Sequence, residues 1–163
     1  MKKILFVCIA MAEFYFMKAQ KTEGDSIFLE MLSTSIMLER PDSNFVPIPD
    51  GNGYAFLKIN ATIKGAFLPG NYIEAEDEFK NIKSTEKRKV LDTIHHMVNK
   101  KRAFSLIQEE IAPANSGFEN CISIITIVPN TSLSTYLVVG VYPKSHDKAL
   151  RKKFIASALS LMK

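Results

Sequence analysis

The chain has 163 residues, of which 47% are hydrophobic and 23% charged, and its formal net charge is +4. That length amounts to one domain, and the balance of residue types excludes a disordered or fibrous chain. The first nineteen residues hold Lys2, Lys3, Lys18 and a single acid, Glu13, so the remainder carries only +2. A nucleic-acid binder would need a basic stripe, which so small a charge does not supply.

The N-terminus has the layout of an export signal. Lys2 and Lys3 form a charged start, an apolar stretch runs from Ile4 to Ala12, and Met17-Lys18-Ala19 ends on a small residue where a signal peptidase can cut. The apolar run is shorter than the ~20 residues needed to span a bilayer. The expectation is therefore a signal peptide over 1–19 and a single α+β domain over 20–163, exported to the periplasm or cell envelope, with no membrane span after cleavage. Loss of the leader removes Cys8 and leaves Cys121 alone, so the domain has no internal disulfide. Cys121 sits in an apolar run and reads as a small buried hydrophobe.

Residues 26–32 and 35–38 are short apolar runs between polar ones and are expected to be strands. The segment 41–53 packs three prolines and two glycines into thirteen positions, which marks a loop. Residues 54–68 return to extended character: Ile59, Ala61, Ile63 and Gly65 alternate with Asn60, Thr62 and Lys64 in the period of a half-buried strand. Pro69-Gly70 is a turn, and the charged segment 72–83, anchored by Tyr72, Ile73, Phe79 and Ile82, suits a surface helix.

Two readings compete for residues 90–98. Val90, Leu91, Ile94, Met97 and Val98 have helical spacing, yet Asn99-Lys100 followed by the extended run 103–110 has the form of a hairpin. The final third reads more simply. Runs 120–128 and 133–142 are rich in β-branched and aromatic residues on both faces, as in strands covered on two sides. Pro143 stops the second, Ser145 is the expected N-cap with Asp147 in the first turn, and Leu150, Phe154, Ala158 and Leu161 form one stripe of a closing helix.

This ordered series resembles the PsbP-like α/β sandwich superfamily. The likeness lies in a Pro-rich loop ending in Gly53-Tyr54, a strand at Ala61-Thr62-Ile63, a short acidic helix around Glu76–Phe79, and the hairpin Val98-Asn99-Lys100-Lys101-Arg102-Ala103. It closes with Leu137-Val138-Val139-Gly140-Val141-Tyr142-Pro143 leading into the last helix. The resemblance covers about 26–162 and implies an antiparallel β-sheet flanked by helices. It favours a strand for 90–98 and implies a non-enzymatic binding or assembly module. It transfers no functional residues.

Few residues are arranged for chemistry. His95 and His96 point apart on a strand and diverge on a helix, so they cannot share one ion, and neither they nor His146 have a metal-ligand spacing. The serines lack a G-x-S-x-G elbow. Glu74, Glu76, Asp77, Glu78, Glu109 and Glu110 read as solvated faces, and Asn60 and Asn130 head glycosylation patterns that recur by chance. No catalytic residue, metal site or cofactor follows from the sequence. The one segment singled out for partner binding is Phe45, Val46, Pro47, Ile48 and Pro49 with Tyr54, because loops held by a rigid scaffold often carry binding. The competing reading has Phe45, Val46 and Ile48 folding back onto the core. The expected function is a binding or assembly module of the bacterial cell envelope whose partner is an envelope protein or small ligand. A small exported hydrolase and a carrier of a small apolar ligand are the alternatives.

Overall fold

A computed structural model describes residues 36–49 and 52–163. The expected leader and the expected strand at 26–32 fall outside them. The described residues form a seven-stranded antiparallel sheet with a helix on each face, the α+β architecture that the resemblance implies.

The strands are β1 (Val46–Pro47), β2 (Gly53–Phe56), β3 (Ala61–Pro69), β4 (Arg88–Val98), β5 (Lys101–Glu110), β6 (Cys121–Pro129) and β7 (Ser134–Pro143). Helix α1 is Tyr72–Lys80 and helix α2 is Asp147–Leu159. The sheet order β1-β2-β3-β7-β6-β5-β4 consists of two meanders, β1–β3 and β4–β7, joined where β3 pairs with β7. Strands β6 and β7 sit in the middle, as their two apolar faces require.

Register assigns every side chain to a face. Gly140 stands opposite Ile63 and Ile124, and Ile124 opposite Ile107. These residues meet Leu150, Phe154 and Ala158 of α2 in one core cluster, which Phe45, Ile36 and Leu38 complete. The alternate residues, among them Phe104, Leu106, Ile125 and Leu137, are buried on the face that carries α1. Phe79 is the buried apolar side chain of α1.

Several expectations are corrected. Residues 54–68 are not one strand: a 3-10 turn at Leu57–Ile59 and a left-handed Asn60 fold them into the hairpin β2–β3. Within β3 the alternation stands, with Ala61, Ile63 and Gly65 buried. Residues 36–38 are irregular rather than a strand, although Ile36 and Leu38 are buried. Ser145 does not cap α2, because a 3-10 turn, Lys144–His146, precedes the helix. Residues 88–98, by contrast, form the strand that the resemblance favoured over their helical spacing. The hairpin with β5 turns on Asn99 and Lys100, both at positive φ, as a two-residue primed turn demands.

Candidate functional site

The loop 41–49 is built from the core outward. Asp42 accepts from the Asn44 amide and pairs with Lys153 of α2 at 2.7 Å, and that lysine holds the Asp42 carboxyl below the usual range. Phe45 is fully buried and meets Phe56 and Phe154 edge-on, each at 5.6 Å. Val46 and Pro47 then form the outermost strand, opposite Ala55 and Tyr54.

The six residues singled out therefore divide. Phe45 belongs to the core, as the competing reading had it. Tyr54 is half-buried, and its hydroxyl donates to the Leu38 carbonyl at 3.1 Å, so it ties down a neighbouring segment. Val46, Pro47 and Pro49 are exposed and Ile48 is intermediate. The exposed part is a short, proline-bearing edge anchored by a buried aromatic ring.

Polar clusters elsewhere were not legible in the sequence. His96 Nε2 lies 2.9 Å from Ser105 Oγ, which lies 2.9 Å from Thr126 Oγ1. The distances suit a nucleophile and its base. Ser105 and Thr126 are nevertheless sealed on the α2 face, and His96 is the half-buried outer end of the chain. Burial, and secondarily the adjacent His95, push His96 below the ordinary imidazole value. His95 points to the opposite face, as strand geometry requires, with Nδ1 3.2 Å from Glu76.

Glu76 is the buried centre of a second cluster. Arg102 at 3.2 Å and Lys80 at 3.3 Å join His95 around its carboxylate, locking α1 to β4 and β5. It was expected on a solvated face together with Glu109, and both are buried. Glu109 accepts from Lys144 at 2.8 Å and Asn120 at 2.6 Å, and these bonds lower its carboxyl. Register pairs Gln108 with Ser123; both are fully buried, and among the described residues neither the amide nor the hydroxyl has a hydrogen-bond partner. Cys121 opens β6 half-buried rather than buried, its thiol pushed up by burial and by Glu119 and Glu110. Among the described residues no three His, Cys, Asp or Glu side chains converge as metal ligands, and no helix is long and apolar enough to cross a membrane.

No family model and no curated protein matches this sequence. Solved structures do. The chain is similar to the cyanobacterial PsbP protein, CyanoP, of Synechocystis, with a TM-score of 0.48 and 9% identity over 72% of this chain and 81% of that one. It is also similar to LpqN of Mycobacterium tuberculosis, described as involved in cell envelope biogenesis, with a TM-score of 0.49 and 12% identity over 74% of this chain and 78% of that one. The likeness is one of fold. It assigns no site residue.

Proposed function

We infer that the protein is an exported, non-catalytic binding or assembly module that meets an envelope partner along the β1 edge. One observation carries this reading: the buried Phe45 fixes a segment whose next residues, Val46, Pro47 and Pro49, face solvent. A preorganised apolar edge loses little freedom when a partner covers it. The prolines also lack amide donors, so the contact is made by side chains rather than by strand addition. The enzyme reading would need an accessible nucleophile, and in the Ser105–His96 pair the serine is sealed. Export is supported by Lys2, Lys3 and the apolar run that follows.

The test is site-specific photo-crosslinking in the producing cell. A crosslinker at Val46 or Pro49 is expected to yield one discrete adduct. The same group at Lys152, exposed on α2, should yield none. Equal labelling from all three positions would overturn the assignment of the edge. Intact mass of the recovered protein tests export, with a start at Gln20 expected and retention of 1–19 counting against it.

A further inference from the structure

The end of the sheet opposite the β4–β5 hairpin tip carries an uncharged loop at 111–118, between β5 and β6. Its sequence, Ile-Ala-Pro-Ala-Asn-Ser-Gly-Phe, has no ionisable side chain. The loop is braced rather than slack. Asn120 Oδ1 accepts from the Ala112 amide at 3.0 Å, Pro113 accepts from the Ser116 amide at 3.1 Å, and Ser116 Oγ accepts from the Phe118 amide at 3.2 Å. On this support Phe118 is 46% exposed and Ile111 44%. One fixed loop thus holds two large apolar side chains partly out in water.

Cations flank it on both sides. The Ile111 amide donates to the Lys87 carbonyl at 2.9 Å, which sets the exposed Lys87 beside the loop. On the other side the Lys144 amide donates to the Asn120 carbonyl at 2.9 Å, and Lys148 follows one turn later on the open side of α2. The nearby acids are mostly engaged: Glu109 by Lys144, Glu110 by Arg88, Asp147 by Arg151, and Glu119 by the amide and hydroxyl of Ser145. Glu86 and Glu119 are the exposed acids at this end that, among the described residues, have no bond to a cation. Farther along the same end, the β2–β3 turn presents Leu57, 76% exposed, next to Lys58.

We propose that this end of the domain docks on an anionic lipid surface, with Phe118 and Ile111 entering the headgroup layer and Lys87, Lys148 and Lys58 facing its phosphates. Apolar tips rimmed by lysines match both layers of such a surface, and each lysine near it adds to the attraction. A nucleic acid would instead want stacked aromatics along a basic groove, and one Phe on a loop does not supply that.

The protein has no tryptophan, so Phe118→Trp installs a single reporter in the full chain. With mixed phosphatidylglycerol–phosphatidylcholine vesicles its emission is expected to shift to the blue, and the shift is expected to reverse in high salt. In co-sedimentation, Phe118→Ser and Lys148→Glu are each expected to lower binding to the mixed vesicles by roughly tenfold. Lys101→Glu, at the other end of the sheet, should leave binding unchanged. Any contribution from residues 1–19 is common to all variants. An unmoved emission spectrum of the Phe118→Trp variant, binding of Phe118→Ser equal to the parent, or equal binding to phosphatidylcholine alone would each overturn the proposal. Circular dichroism of each variant establishes that it is folded.

Discussion

The ring of Phe154 fills the space that a side chain at position 140 would need: a Cβ on Gly140 would stand 2.1 Å from its Cδ1. The glycine is thus the floor on which α2 sits, and Tyr142 and Phe45 wall the same ring at 4.9 and 5.6 Å. Gly140→Ala is expected to cost ~1–3 kcal/mol by overpacking, and Phe154→Ala ~3–5 kcal/mol by leaving a cavity. Their effects should not add, because the methyl group fits once the ring is gone. A double-mutant cycle from urea melts measures this, and additive costs would mean that the ring and the glycine are not in contact.

His96 gives the fold a pH dependence. Its folded value lies below that of an unfolded histidine, so the unfolded chain binds the extra proton first. Stability is then full above about pH 6.5 and falls as pH drops through that value towards the folded one. His96→Gln should flatten the denaturation midpoint between neutral and mildly acidic pH. A slope that survives the substitution assigns the effect to another group.

Two buried serines should respond in opposite senses. Ser105 is bonded to both His96 and Thr126, whereas Ser123 has no partner among the described residues. Ser123→Ala removes an unsatisfied hydroxyl and is expected to raise stability by about 1 kcal/mol, while Ser105→Ala lowers it by about as much. Denaturant melts of the two variants decide it, and a loss at Ser123 would mean that its hydroxyl is satisfied in solution.

Cys121 should react slowly. Burial and the neighbouring carboxylates of Glu119 and Glu110 disfavour its thiolate, the reactive form. In a Cys8→Ser background, labelling by a thiol reagent at neutral pH is expected to be at least about tenfold slower in the native protein than in urea. Equal rates would place the thiol at an open edge.

The middle of the sheet was legible because β6 and β7 are apolar on both faces, and α2 because Leu150, Phe154 and Ala158 recur on one stripe. Other features depend on contacts that no local pattern announces. Alternation runs from Ile59 through Gly65 across the bend, so the hairpin was visible only in Asn60, a residue that tolerates a left-handed backbone. Ser145 has the chemistry of a cap, but Glu119, distant in sequence, takes both its amide and its hydroxyl. The helical spacing within Arg88–Val98 yields to pairing with β5, as tertiary context commonly overrides propensity. The His96–Ser105 pair needs the register His96↔Ala103 before the two side chains can be placed on one face.

The join between the two meanders has a consequence for how the chain acquires its shape. β4 to β7 can zip together in order, each strand finding its neighbour through the loop just made. β3 has to wait: its partner runs along residues 134–141, nearly half the chain's length later. A protein emerging from its N-terminus therefore holds β1–β3 as a ribbon with one bare hydrogen-bonding edge until nearly all the rest has appeared. Closing that long loop is the slow step expected of non-local pairing. Agents that shield exposed strands during synthesis should act on this ribbon above all.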